Sequence, residues 1–205
     1  MKRRILQAEA GQRFLAASHP RLRALIRRVG PPELYFHSRR SVYESLVRAI
    51  IFQQLHGKAA EAILQRFREL FPPPFPSAAT VAKTTPSKLM RAGLSRAKAF
   101  AIQDLARKAV AGDVPSRAQA VRMTNEELIE ALTQVRGIGR WTVEMFLIFT
   151  LGRRDVLPAH DFGVRKGFAM VFRKSSMPSP KSLEQMGQRW SPHRSLLAWY
   201  LWRAT

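Results

Sequence analysis

The feature that most constrains this chain is the density of its helix start and stop signals. Ser41-Val-Tyr-Glu44 has the pattern of a capping box and is followed by Leu46, Val47, Ile50 and Ile51 at the spacing of one buried helical face. That helix is expected to stop near Leu55-His56-Gly57. A second is expected over 58–70, until Phe71-Pro-Pro-Pro-Phe-Pro76 imposes an extended turn. Thr85-Pro86 reads as an N-cap with proline at the first helical position, and Ser95 as the cap of a further helix through Val110 that closes at Gly112. Thr124-Asn-Glu-Glu127 is another capping box. It opens a short helix that ends before Gly137, and a new helix starts after Gly139 and ends at Gly152. Residues 153–160 contain Pro158 and read as a loop, Asp161 heads a helix reaching about Phe172, and 190–202 supplies the last helix. No alternating run is long enough for a useful strand and no internal repeat is present, so the fold class is all-α.

Composition then narrows the function. A chain of 205 residues with 46% hydrophobic content can bury a core as one large domain or two small lobes. Its 35 Lys and Arg against 14 Asp and Glu give a net charge of +21, which draws it to polyanions, nucleic acid first. A ribosome-associated or membrane-surface protein carries the same signature. The absence of Cys excludes disulfides, thiol nucleophiles, iron–sulfur clusters and thiolate zinc sites. The five His are scattered with no H-E-x-x-H pattern, so no catalytic transition metal is expected. Met1-Lys-Arg-Arg resembles the basic end of a signal peptide, but no sustained apolar run follows it. The stretch 143–151 is too short to span a membrane and carries Glu144. The expected location is intracellular, without membrane association.

The sharpest local feature is Leu132-Thr-Gln-Val-Arg-Gly137-Ile138-Gly139-Arg140-Trp141-Thr142: a helix end, a turn with two glycines around one apolar residue, and a helix start. Glycines there allow positive φ and bring bare backbone close to a ligand, while N–H groups at the second helix's start suit a phosphate. Ile138 would plug the angle between the helices. Taken alone, G-x-G describes an ordinary helix–helix turn better than a binding loop. Arg140, the basic surface and the flanking helices favour phosphate-backbone contact without sequence readout.

Gly137-Ile-Gly-Arg-Trp-Thr142 followed by Leu157-Pro-Ala-His-Asp161-Phe-Gly-Val-Arg165 resembles the hairpin and catalytic-aspartate signature of the helix-hairpin-helix (HhH-GPD) DNA glycosylases, and within them the bacterial and fungal 3-methyladenine type. Ile51-Phe-Gln-Gln-Leu-His56-Gly-Lys-Ala-Ala60 and Ala198-Trp-Tyr-Leu-Trp202 are similar to the same group, so the likeness runs from about Ser41 to the C-terminus. It implies a central helical lobe over about 41–151, containing the hairpin at 132–142, and a second lobe from 1–40 plus 152–205. It also implies a minimal catalytic core without an extra N-terminal β domain.

The implied activity is monofunctional excision of alkylated purines, such as 3-methyladenine and 7-methylguanine, from double-stranded DNA by base flipping in base excision repair. The implied protein is a monomer needing no protein partner, acting in a bacterial cytoplasm and nucleoid or a eukaryotic nucleus. Asp161 matches the catalytic aspartate, which stabilises an oxocarbenium-like sugar, activates water, or both; from the residues alone a simple N-cap is the better reading. The roles are compatible, because a helix N-terminus favours a carboxylate. Related bifunctional enzymes carry a nucleophilic lysine where this chain has Trp141, so no lyase step is expected. Trp141, Phe149 and Trp202 match aromatic positions around the base pocket, where electron-rich rings would stack on an electron-poor alkylated purine. The competing assignment for each is core packing.

Leu55 matches the intercalating wedge and His56 a minor-groove probe beside it. Gly137, Gly139, Arg140 and Thr142 match backbone-binding hairpin positions. Gly93-Leu-Ser95 with Lys98 resembles a further loop that touches the opposite strand. Catalysis is expected to need no cofactor. Family hairpins often hold a structural Na or K ion through backbone oxygens, here those of Thr133, Val135 and Ile138, although Arg136 replaces a common proline. Two other readings stay open: a catalytically silent DNA-damage or structure-binding protein, and a glycosylase for ethenoadenine, hypoxanthine or oxidised guanine.

Overall fold

The computed structural model describes residues 2–4, 8–55 and 57–204. His56, expected at the end of the wedge turn, lies outside the described residues. Thirteen α-helices and one two-stranded sheet are present among the described residues. Their contacts divide the chain into two units, Arg39–Phe146 and the combination of Met1–Ser38 with Leu147–Thr205. None of the helices is long and apolar enough to cross a membrane.

The unit Arg39–Phe146 is built around α3 (Val42–Phe52), α4 (Gly57–Glu69) and α7 (Arg96–Ala111), with α5 (Ala78–Ala82), α6 (Pro86–Met90), α8 (Arg117–Arg122), α9 (Asn125–Thr133) and α10 (Arg140–Phe146) around them. Its core comprises Leu46, Ile50 and Ile51 of α3, Leu64 and Phe67 of α4, and Ile102 and Leu105 of α7, all essentially solvent-free. Ser41, Thr85, Ser95 and Thr124 cap their helices through side-chain oxygens, and Gly112 ends α7 at φ +91°. The Thr124–Glu127 box is complete in both directions. At Ser41 only half of it forms: the hydroxyl accepts from Glu44 N–H at 3.0 Å, while the Glu44 carboxylate takes Arg48 Nε at 2.9 Å, an i,i+4 pair that outcompetes the backward reach.

The other unit contains α1 (Ala8–Ser18), α2 (Pro20–Val29), α11 (Phe162–Phe172), α12 (Pro180–Gly187) and α13 (Arg194–Leu201). Leu22, Phe168, Trp190, Leu197 and Tyr200 form its core. The buried polar atoms are satisfied across it: Trp190 Nε1 donates to Ser18 Oγ at 3.0 Å and Tyr200 OH to Gly30 O at 3.0 Å. Two departures from the sequence expectation occur here. Lys2–Arg4 (β1) pairs antiparallel with Tyr35–His37 (β2), two strands of three residues that are too short to show alternation. The helix expected to run smoothly to Gly152 instead ends in a π turn, Leu147–Leu151, closed by an Arg153 N–H to Leu147 O bond of 2.9 Å. Gly152 permits that closure: its φ is +75°, and an added Cβ would stand 2.9 Å from the Phe36 ring.

Candidate active site

Asp161 is the N-cap of α11, with Oδ1 accepting from Val164 N–H at 2.8 Å. The same oxygen accepts from the indole N–H of Trp202, the C-cap of α13, at 2.9 Å. The Trp202 ring stacks on Phe149 of the π turn, centroids 6.1 Å apart and planes 27° from parallel. Gly163 makes room for this contact, since a Cβ there would meet Trp202 Cδ1 at 3.0 Å and Asp161 Oδ1 at 3.2 Å. One carboxylate is thus oriented by a helix start and an indole, next to two stacked rings. The capping assignment is met, and the carboxylate's second oxygen, Oδ2, takes no part in it.

The four tryptophans separate into two classes. Trp190 and Trp199 are buried at 2% and 4% exposure and serve the core. Trp141 is 46% exposed and Trp202 is half-buried, so the two assigned to base recognition are the two that core packing does not consume. Trp141 also lines a cleft of about 550 Å³ within the unit Arg39–Phe146, together with Ala49, Phe52, Gln53, Gln54, Thr142 and Met145. Met145 and Phe52 were not singled out by the sequence.

The turn after α3 is shaped by its own backbone. Gln53 is extended and Gln54 takes a left-handed φ of +54°, which breaks the helix three residues before the expected stop and leaves Leu55 38% exposed. Lys98 fastens this turn: its Nζ donates to Ile51 O at 2.8 Å and Gln53 O at 2.7 Å, satisfying carbonyls left over at the helix end. Burial lowers its pKa. The ammonium assigned to the opposite DNA strand is thus turned inward as a C-terminal cap, with Ser95 as the N-cap of the same helix. Gly93 is exposed at φ +92°, and Arg66 packs against its loop by donating from Nε to Ala92 O at 2.9 Å.

Gln53 joins the turn after α3 to the Gly137–Gly139 turn, donating from Nε2 to Gly137 O at 2.9 Å. Gly137 has φ +77°, and α7 stands close behind it, with Ala101 Cβ 3.3 Å from where a side chain would begin. Ile138 is buried and its N–H donates to Val135 O at 3.0 Å; Asp104 Oδ2 accepts Arg136 N–H at 2.9 Å. Arg136 lays its guanidinium over Phe100, 5.4 Å from the ring centre. Arg140 is engaged by two carboxylates, bidentate with Glu126 at 2.9 and 3.0 Å and at 3.2 Å with Glu144. Those bonds, Glu126 foremost, raise its pKa and make it a hairpin brace. Gly137 and Gly139 are exposed, whereas Thr142 is buried.

The model of the HhH-GPD superfamily of base excision DNA repair proteins matches residues 47–193. The chain belongs to that superfamily. DNA-3-methyladenine glycosylase 1 of Schizosaccharomyces pombe is 41% identical over 80% of this chain and 72% of its own length. An alkylbase DNA glycosidase-like protein of the same organism is 32% identical over 94% of this chain and 91% of its own. The solved structure of the S. pombe 3-methyladenine DNA glycosylase with abasic DNA superposes with a TM-score of 0.83 at 36% identity, covering 95% of each chain. A DNA-3-methyladenine glycosidase from Bacillus halodurans gives the same TM-score at 28% identity over 100% of this chain and 92% of its own. The mostly helical architecture is accordingly the HhH-GPD fold.

Proposed function

We propose that this HhH-GPD protein is a monofunctional DNA glycosylase that hydrolyses the N-glycosidic bond of alkylated purines in double-stranded DNA. The observation that carries the reading is Asp161, whose Oδ1 is held by both the Val164 and Trp202 N–H groups. An alkyl group on purine N3 or N7 makes the base cationic, so C1′–N cleavage releases a neutral base carrying the bond's electron pair. The sugar is left as an oxocarbenium-like cation. A fixed carboxylate beside it is the electrostatic partner that such a transition state needs. Water then adds to C1′ and loses a proton, leaving an abasic strand. Phe149 and Trp202 offer a stacked pair for the extruded purine, the exposed ring of Trp141 is a second stacking platform, and Leu55 is the wedge. The protein would act wherever the chromosomal DNA lies.

The test is chromatography of free bases after incubation with methylated duplex DNA, with strand integrity followed separately. The expected result is release of 3-methyladenine and 7-methylguanine, leaving abasic strands that break only on alkaline heating. Tight lesion binding without release would identify a silent damage-binding protein instead, and immediate strand scission a lyase. In the same assay Leu55→Ala is expected to slow single-turnover release about tenfold, equivalent to ~1.4 kcal/mol of lost flipping support.

For the hairpin we propose a structural Na or K ion on the Thr133, Val135 and Ile138 carbonyls, with no part in the chemistry. Three neutral oxygens on one turn suit a hard monovalent cation, Val135 O keeps a second lone pair after accepting from Ile138 N–H, and Asp104 adds negative potential at the turn. Exchanging KCl for choline chloride at constant ionic strength is expected to weaken DNA binding and lower Tm. Unchanged values in both would remove the ion.

A further inference from the structure

The loop 153–160 that delivers Asp161 is secured at both ends to one helix. At the first turn of α13, Ser195 N–H donates to Arg154 O at 3.0 Å. The Ser195 hydroxyl donates to Arg153 O at 2.8 Å and accepts from Val156 N–H at 3.0 Å, in a site with 0% exposure. Asp155 receives Arg194 Nε at 2.7 Å and Nη2 at 2.9 Å, Ser191 Oγ at 2.8 Å, and Arg194 N–H at 3.3 Å. At the other end of the same helix, Trp202 donates to Asp161 itself. Eight residues span about 12 Å, so α13 is a short strut between the two fastenings.

We infer that Asp155 and Ser195 are positioning residues for base excision: they fix the loop on α13 so that Asp161 meets the Trp202 N–H and keeps its carboxylate in reacting geometry. This rests on the excision role given to Asp161. Neither residue lies in the stacked-ring site. His193 gives α13 no side-chain N-cap hydrogen bond, and the first two N–H groups of the helix, those of Arg194 and Ser195, go instead to Asp155 and Arg154 O, so the loop and the start of α13 are held as one unit. The bonds from Arg194 and Ser191 hold the Asp155 carboxyl below its ordinary range although burial works the other way. The network is therefore anchored on a charge, and charge-assisted bonds of this kind are the stronger class. A catalytic group displaced by about 1 Å can lose roughly a hundredfold in rate.

The experiment compares wild type, Asp155→Ala, Ser195→Ala and a control on the same helix, Tyr200→Phe, which removes the bond to Gly30 O. Single-turnover base release, affinity for abasic duplex and the Trp202 indole N–H resonance, assigned through Trp202→Phe, are measured on each. Asp155→Ala and Ser195→Ala are expected to slow release by tens of fold, to leave abasic-DNA affinity within about threefold, and to move the indole resonance toward its position in Asp161→Ala, which has no acceptor for the indole N–H. Tyr200→Phe is expected to do none of these. Asp155→Ala combined with Trp202→Phe should be less than multiplicative in rate, since both act through one carboxylate. Wild-type rates with an unmoved resonance in both variants would overturn the inference. If wild type itself releases no base, the excision reading fails, and the resonance still decides whether the strut sets the Asp161–Trp202 contact.

Discussion

Asp161→Asn is expected to slow release of 3-methyladenine roughly a thousandfold while leaving the fold and its affinity for abasic DNA nearly unchanged. The substitution is nearly isosteric. Its amide oxygen can still accept from Val164 N–H and from the Trp202 indole, so the cap of α11 and the contact with Trp202 both survive. Asn and Asp are also close to equivalent as N-caps, which holds the expected stability change to a few tenths of a kcal/mol. What disappears is the negative charge that the proposed mechanism sets beside the sugar, and losing about 4 kcal/mol of transition-state stabilisation corresponds to a factor of about a thousand. Single-turnover release, paired with thermal unfolding of both proteins, separates the two contributions. Equal release by mutant and wild type would take Asp161 out of the mechanism, and a Tm drop of many degrees would mean that its structural role had been underestimated.

The helix boundaries were legible where the signal is local. Ser41, Thr85, Ser95, Thr124 and Asp161 each satisfy an N–H three residues ahead, and Gly112 and Gly152 supply the left-handed ends of their segments. What could not be read depends on partners far away in sequence. The π turn needs Phe36 pressed against Gly152, and β1 needs a partner strand that begins at Tyr35. The partners of the cations were hidden for the same reason. Arg140 reads as a cation available to phosphate in a chain of net charge +21, and Lys98 as part of a loop that touches the opposite strand. Lys98, however, is taken by carbonyls of Ile51 and Gln53, and Arg140 by Glu126. Only the Arg140–Glu144 pair, at i,i+4, carried a sequence signal. Likewise Gln53 looked like one more polar residue in the wedge block until its amide was seen on Gly137 O.

The largest expected effect on stability is at Gly167, inside α11. On an exposed helix a Gly→Ala change stabilises by up to about 1 kcal/mol, because alanine loses less backbone entropy on folding. Gly167 is buried where α11 meets α13, and an added Cβ would lie 2.1 Å from Leu201 O and 2.8 Å from Leu201 C. Those atoms are backbone in a packed helix and cannot swing aside, so the two helices must part. Overpacking costs typically 1–3 kcal/mol and more where no side chain can relax. The clash should therefore outweigh the propensity gain, for a net loss of about 3 kcal/mol and a Tm lower by roughly 6–12 °C in a chain of this size. The displacement has a direction, since α13 ends in Trp202 and α11 begins at Asp161. Folded Gly167→Ala should thus lose excision rate as well, which Gly163→Ala would do with a smaller stability cost, its Cβ meeting only the Trp202 edge at 3.0 Å and Asp161 Oδ1 at 3.2 Å. Denaturant unfolding of the two variants decides it: a Gly167→Ala protein as stable as wild type would show that the α11–α13 interface can relax, and with it the claim that α13 acts as a rigid strut for Asp161 would fall.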